Sequence, residues 1–204
     1  VDATLGLGGH SFEMLNRFPN LTLIGIDRDT QAIAKASTRL SQFGNRVHIA
    51  HSVFDHFNEV VKSFGFEKID AALFDLGVSS MQLDEAERGF SYSQDAPLDM
   101  RMDQSQGITA EEIVNTWSHG DLARILRVYG EEKFAPRIAD FIIREREISP
   151  ITTTATLSAL VKSAIPAAAR RTGGNPSKRT FQALRIAVNN ELEVIESALP
   201  QALD

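Results

Sequence analysis

The feature that most constrains this chain is an alternation of apolar runs and amphipathic segments in its first half. Short runs typical of buried strands lie at 21–26, 47–50 and 69–74. Segments of helix-forming residues with apolar positions three or four apart lie between them, at 30–40 and 55–64. Such alternation predicts an α/β fold, a doubly wound parallel sheet whose ligands bind at the carboxyl ends of the strands.

The second half of the chain has a different pattern. Helical periodicity dominates from about 109 to 164, and a further helical segment follows at 177–199. We predict an inserted all-helical domain over 104–168, within an α/β domain formed by 1–103 and 169–204. Val1 stands where a strand is ending and the chain stops within a helix, so we expect a fragment of a longer protein.

Composition narrows the class of protein. The 204 residues are 43% hydrophobic and 24% charged, as in ordinary globular domains. No apolar run reaches the roughly 18 residues of a membrane-spanning helix, so we expect a soluble, cytoplasmic protein without a membrane partner. The chain has no cysteine, which excludes disulfides and thiolate zinc sites, and its scattered histidines favour no metal site. Because the net charge is −6, any nucleic-acid partner must meet a local basic patch.

The first turn of the chain is rich in glycine. Gly6, Gly8 and Gly9 precede His10 and a predicted helix, so the backbone there can approach a ligand closely. Asp27 ends the next predicted strand, at about the spacing where one carboxylate accepts hydrogen bonds from both ribose hydroxyls of an adenosine cofactor. The alternative is an ordinary strand-to-helix turn in which Asp27 caps the following helix.

Both NAD and S-adenosylmethionine (AdoMet) contain that adenosine. The spacing G-x-G-x-x-G is typical of a dinucleotide site, whereas the glycines here stand at 6, 8 and 9 and no glycine occupies the third position of that pattern. The spacing therefore favours AdoMet. Phe54, after the predicted strand at 47–50, is placed to border an adenine ring, or else to pack in the core.

A second polar segment follows the last predicted strand. Asp75 opens it, and Ser79, Ser80 and Gln82 follow within eight residues. This segment lies at the carboxyl edge of the predicted sheet, where the transferred group should sit. A carboxylate, two hydroxyls and an amide exceed what a strand-to-loop cap needs, so we favour a functional role over a simple cap.

Several sequence strings together identify a family. They are D-A-T-L-G-L-G-G-H-S at 2–11, G-I-D-R-D at 25–29, D-L-G-V-S-S at 75–80, P-L-D-M-R-M-D at 97–103, Y-G-E-E at 129–132 and R-T-F-Q-A-L-R-I at 179–186. With them the chain closely resembles the bacterial MraW-type methyltransferases over essentially its whole length. Those enzymes methylate N4 of a cytidine in the decoding region of the 16S ribosomal RNA of the small subunit.

The resemblance implies a Rossmann-like AdoMet-dependent methyltransferase domain and a helical substrate-recognition insertion. The cofactor-binding residues that it implies are Gly8, Gly9, His10, Asp27, Phe54, Asp75 and Gln82. Because the lone pair of a cytosine amine is delocalised, catalysis needs polar acceptors for its hydrogens. We interpret Asp75, or a backbone carbonyl beside it, as the group that polarises the amine, with Ser79 and Ser80 in support. Departures from the family's usual residues stand at Ala3, Leu7 and Met81.

An RNA substrate requires phosphate contacts and an aromatic platform. The stretch 165–185 contains no acidic residue. Its predicted RNA-binding residues are Arg170, Arg171, Lys178, Arg179 and Phe181. A solvated basic face and a core phenylalanine are the alternatives. The expected partner is small-subunit ribosomal RNA in an assembled or nearly assembled 30S subunit, and a homodimer is left open.

Two other function classes share part of these features. A nicotinamide-dependent oxidoreductase would use the same glycine turn and Asp27, and NAD binding would identify it. A non-catalytic RNA-binding or assembly factor would keep the basic stretch, and it would bind RNA without methyl transfer.

Overall fold

The computed structural model describes residues 1–170 and 174–203 of the chain. They form two compact units. The first unit consists of Val1–Ser79 together with the C-terminal helix, and the second is Ser80–Asn190. These bounds differ from the domain boundaries at 104 and 168 that the sequence pattern predicts. The assignment of 104–168 to substrate recognition stays a prediction.

The first unit alternates helices and strands. In chain order its elements are α1 (Gly9–Arg17), β1 (Leu23–Asp27), α2 (Thr30–Leu40), β2 (Val47–His51) and α3 (Phe57–Ser63). Short 3₁₀ turns lie at Ser41–Arg46 and Phe54–His56. Helix α2 has the predicted bounds because Asp29 caps its start and Ala32, Ala36 and Leu40, four residues apart, are buried.

The sheet is smaller than the four strands predicted, namely the strand that ends near Val1 and the runs at 21–26, 47–50 and 69–74. Strands β1 and β2 pair in parallel, from Leu23 with Val47 to Asp27 with His51. On the other side of β1, Asp2 forms single parallel bridges to Gly25 and to Leu73. The predicted strand 69–74 is therefore reduced to one bridge, at Leu73. The spatial order is Leu73, Asp2, β1, β2, which keeps all carboxyl ends at one edge.

The regular elements in the described residues of the second unit are helices, and most of residues 85–109 is loop. Its helices are α4 (Ser80–Asp84), α5 (Ala110–Thr116), α6 (His119–Val128), α7 (Ala135–Arg146), α8 (Thr154–Ala164), α9 (Ala167–Arg170) and α10 (Lys178–Asn189). A capping box starts α5: the Glu112 N–H donates to Thr109 Oγ1 at 3.1 Å, and the Thr109 N–H donates to Glu112 Oε2 at 2.8 Å. Apolar residues at helical spacing, such as Leu122, Ile125 and Leu126 of α6, form the core.

The predicted helix 177–199 is two helices. Asn190 adopts a left-handed conformation with φ 49° and ends α10, and α11 (Glu191–Leu203) follows immediately. Helix α11 belongs to the first unit, whereas α10 packs in the second unit. None of the helices in the described part of the chain has the length and hydropathy needed to cross a bilayer.

Candidate functional site

The glycine-rich turn of the first unit has the backbone that glycine permits. Gly6 has φ +51° and Gly8 has φ +71°, both in the left-handed region, and Gly8 is the N-cap of α1. A side chain at Gly8 would also lie 3.3 Å from Leu40 Cδ1 of α2. The turn is tied to β1 by a hydrogen bond from the Leu5 N–H to the Ile26 carbonyl.

The Asp27 carboxylate closes this turn from the end of β1. Its Oδ2 accepts the Gly6 N–H at 2.7 Å, and its Oδ1 accepts the Asp29 N–H at 2.8 Å. The N-cap of α2 is Asp29, so Asp27 does not serve as the helix cap considered as an alternative. Burial raises the pKa of Asp27 despite these hydrogen bonds from the Asp29 and Gly6 N–H groups.

His10 and Asp75 form an exposed polar pair in the same unit. His10 lies in the first turn of α1, and Asp75 follows the bridge at Leu73. The two side chains are 68% and 65% exposed, and Nδ1 of His10 lies 3.5 Å from Oδ2 of Asp75. The sequence strings at 2–11 and 75–80 therefore meet at the carboxyl edge of the sheet.

Phe54 stands beside this edge but is also used in packing. It follows β2 in a 3₁₀ turn, and its ring meets the Phe74 ring edge-on at 5.7 Å between centroids. It is half-buried against the core that includes Ile26 and Phe57. Packing in the core, the alternative role, is observed. Its role at the adenine stays a prediction.

The remaining predicted residues of the polar segment occupy different surroundings. Ser79 is half-buried at the end of the first unit, and Ser80 is exposed at the start of α4. Gln82, also in α4, is only 5% exposed within the second unit. The cofactor and catalytic roles of these three residues stay predictions.

The basic stretch of the second unit is only partly available to a partner. Arg170 and Lys178 are exposed at the end of α9 and the start of α10. Arg179 is exposed too, but it donates from Nη1 to the Glu131 carbonyl at 2.7 Å. The Phe181 ring is 4% exposed and packs edge-on against Tyr92 at 5.6 Å, so its observed role is packing. Arg171 lies outside the described residues.

Sequence reasoning missed two buried polar residues that organise these regions. In the first unit, Asp2 is 1% exposed and accepts the Ser11 hydroxyl at 2.6 Å. In the second, Asn189 is 4% exposed and hydrogen-bonds the main chain of Met100 and Met102. A polar residue within an otherwise apolar pattern is the signal that identifies both.

Metal ligation has no visible basis in the described parts of the chain. Over residues 1–170 and 174–203, no three histidine or acidic side chains are grouped so that they could hold a metal ion.

Comparison with known proteins gives one consistent family. The model of the MraW methylase family matches residues 1–204. The chain is 63% identical over 204 residues to a ribosomal RNA small subunit methyltransferase H from Salinispora arenicola, covering all of the chain and 55% of that protein. Proteins of the same name from Kineococcus radiotolerans and Streptomyces avermitilis are 58% and 55% identical, with 52% and 64% of their lengths covered. The chain thus spans between about half and two thirds of these relatives.

Proposed function

The chain belongs to the MraW methylase family, and from this premise we propose that it is part of an AdoMet-dependent methyltransferase acting on 16S ribosomal RNA. The proposed reaction is methylation of the N4 amino group of a cytidine in the decoding region. The observation that carries the proposal is the joining of the glycine-rich turn to the strand-end carboxylate of Asp27, through the 2.7 Å bond from Gly6. The names of the relatives, ribosomal RNA small subunit methyltransferases, support the substrate class.

The residues at this edge fit the cofactor. A carboxylate has about four acceptor positions, and the N–H groups of Gly6, Arg28 and Asp29 hydrogen-bond to the Asp27 carboxylate. The acceptor capacity that remains can take a hydrogen bond from a ribose hydroxyl. Gly8, Gly9 and His10 would face the methionine end, with Phe54 on the adenine side. The cofactor, when bound, supplies an electrophilic methyl group on a sulfonium.

Asp75 is suited to act on the target amine. Its side chain is 65% exposed, so a nucleotide can reach it. As the N–C bond forms and the S–C bond breaks, the amine must lose one proton, and a carboxylate can accept that proton before releasing it to water. In this proposal Asp75 aligns the amine by hydrogen bonding, Ser79 and Ser80 support it, and Gln82 completes the cofactor site.

The RNA side of the proposal rests on the second unit. Arg170 and Lys178 are exposed cations that can neutralise phosphates, and Arg171 belongs to the same basic stretch. Arg179 is proposed to contact RNA with the donors it does not use for Glu131, and Phe181 only after leaving its packing with Tyr92. The proposed substrate form is an assembled or nearly assembled 30S subunit in the cytoplasm.

Parallel ligand titrations test this function. Thermal unfolding is measured with AdoMet, S-adenosylhomocysteine and NAD, since a ligand at 100 times its dissociation constant adds about 2.7 kcal/mol of stability. We expect stabilisation by the first two only, followed by methyl transfer from AdoMet to N4 of cytidine in 30S subunits. Stabilisation by NAD alone would indicate an oxidoreductase. RNA binding without methyl transfer would indicate a non-catalytic factor.

A further inference from the structure

At Asp75 the hydrogen bonding between two neighbouring segments of the sheet changes from a main-chain to a side-chain acceptor. The Leu73 N–H donates to the Val1 carbonyl at 2.8 Å, and the Ala3 N–H donates to the Leu73 carbonyl at 2.9 Å. In a parallel ladder the next bond of this series runs from the Asp75 N–H to the Ala3 carbonyl. The Asp75 N–H donates instead to Thr4 Oγ1, at 2.7 Å. A threonine hydroxyl thus takes the position of a ladder carbonyl.

This exchange of acceptor changes where Asp75 lies. A regular ladder would keep the main chain of Asp75 beside Ala3, in the plane of the sheet. Bonding to Thr4, one residue farther along and through a side chain, ends the pairing at Leu73. The main-chain pairing thus stops at the carboxyl edge of the sheet, the edge at which ligands of such sheets bind.

Thr4 is itself held in place by a hydrogen bond to Asp2. Its N–H donates to Asp2 Oδ1 at 3.2 Å, and Asp2 Oδ2 accepts the Ser11 hydroxyl at 2.6 Å. Asp2 is 1% exposed and Ser11 is fully buried in α1, next to His10. One buried carboxylate therefore holds the first turn of α1 and, through Thr4, the main chain of Asp75.

Packing does little to hold Asp75, whose side chain is largely exposed beside an equally exposed His10. We propose that Thr4 is a positioning residue for Asp75: its hydroxyl ends the sheet pairing and sets the carboxylate for the target amine. The role rests on the proposed function, because it assigns Thr4 to the methyl-transfer step. Thr4 acts through Asp75 and the main chain, without contacting substrate itself.

Threonine substitutions separate the hydroxyl from the shape of the side chain. Thr4→Val keeps the β-branched shape and removes the acceptor, which leaves the Asp75 N–H without its partner. Thr4→Ser keeps the acceptor and loses a methyl group. Thr4→Ala is a second variant without an acceptor, in case valine disturbs folding. Each is made in the full chain, alone and together with Asp75→Asn.

Hydrogen exchange of the Asp75 amide tests the contact, and kinetics test its use. We expect exchange to be at least tenfold faster in Thr4→Val and Thr4→Ala than in the wild-type protein, and near the wild-type rate in Thr4→Ser. The kcat for methyl transfer should fall at least tenfold in the first two variants, with the Kd for AdoMet changed less than threefold. In the Asp75→Asn background the same substitutions should lower kcat less than twofold further.

Several results would overturn the positioning role. Unchanged exchange in Thr4→Val would remove the contact, and an equal loss of kcat with or without the Asp75 carboxylate would make Thr4 a general stability residue. Loss of kcat in Thr4→Ser as large as in Thr4→Val would assign the effect to the methyl group. If the wild-type protein neither binds AdoMet nor transfers methyl, the proposed function fails, and the exchange data still report whether Thr4 holds the main chain of Asp75.

Discussion

The two units use their most specific sequence strings in opposite ways. In the first unit the strings at 2–11 and 75–80 each contribute an exposed side chain at the sheet edge, His10 and Asp75. In the second unit the strings at 97–103 and 129–132 are held by contacts inside the unit. We therefore propose a ligand site for the strings of the first unit and a packing role for these two strings of the second.

The loop 97–103 shows how the second unit uses such a string. Asn189 Nδ2 donates to the Met100 carbonyl at 2.8 Å, and its Oδ1 accepts the Met102 N–H at 2.8 Å. Met100 is fully buried and has φ 64°, a left-handed conformation that is costly for a methionine. Burial raises the pKa of Asp99, but hydrogen bonds from Arg101 dominate and hold it below its usual range.

Asn189→Ala should have the largest effect on stability. It removes both bonds to the loop and leaves the buried Met100 carbonyl and the part-buried Met102 N–H without this partner, at about 1–3 kcal/mol for each group. We expect the free energy of unfolding to fall by about 3 kcal/mol, measured by urea denaturation. Asn45→Ala, at an exposed position in the 3₁₀ turn of the first unit, is the matched control and should change it by less than about 0.5 kcal/mol. Equal losses in the two variants would break the contrast between the units.

Asp27→Asn should have the largest effect on ligand binding. The amide keeps one acceptor oxygen but loses the charge, and hydrogen bonds to charged groups contribute about 1.5–3 kcal/mol. We expect the affinity for AdoMet to fall about 100-fold, measured by isothermal titration calorimetry. The control is Glu13→Gln on the exposed side of α1, which should leave the affinity unchanged. Unchanged affinity in Asp27→Asn would show that the first unit does not use this carboxylate for the ribose.

The pH dependence of AdoMet binding is a second test of the Asp27 carboxylate in the first unit. Because burial raises the pKa of Asp27, its carboxylate takes up a proton at a higher pH than an ordinary aspartate. We expect AdoMet affinity to fall as pH falls through this raised pKa, since the protonated form loses an acceptor. The stability of the ligand-free protein should depend on pH in the opposite direction. A raised carboxyl pKa contributes stability at low pH, and that contribution is lost as pH rises through the pKa. Calorimetry and unfolding between about pH 4 and 7 measure both; affinity that is flat in pH would contradict the assignment.

Much of the first unit could be predicted from sequence, since its determinants are local. Helix α2 has the predicted bounds, and β2 extends one residue beyond its predicted end, because capping residues and apolar spacing specify them. The strand predicted at 69–74 is reduced to one bridge at Leu73, and the acceptor for the next N–H, that of Asp75, is the side chain of Thr4, which local patterns cannot report. The burial of Phe181 was not predictable either, because its partner Tyr92 comes from a segment without periodicity. Long-range hydrogen bonds and packing lie outside what local patterns report.

Gly130→Ala tests the second string of the helical unit. A Cβ there would lie 2.5 Å from the Arg179 carbonyl oxygen of α10 and 2.9 Å from that of Leu126, and backbone atoms cannot move aside cheaply. We expect unfolding free energy to fall by about 2 kcal/mol. Gly120→Ala is the control in α6: its nearest neighbour atom would be 3.8 Å away, and alanine should be neutral or stabilise by up to about 1 kcal/mol. A tolerated Gly130→Ala would mean that this string is not a packing constraint.

The smallest effect on stability is expected at the exposed basic residues of the second unit. Arg170 and Lys178 are exposed, so reversing them to glutamate should leave stability within about 0.5 kcal/mol of wild type. If they contact phosphates, RNA affinity should fall about tenfold and the slope of log K against log salt should decrease by about one for each lost contact. Arg179→Ala gives the sharper comparison, because that side chain also bonds the Glu131 carbonyl and its loss should lower stability as well. Filter binding of 16S RNA at several salt concentrations measures the slope. If the slope is unchanged when Arg170 and Lys178 are both reversed, these residues do not contact RNA phosphates. RNA recognition would then lie elsewhere in the protein.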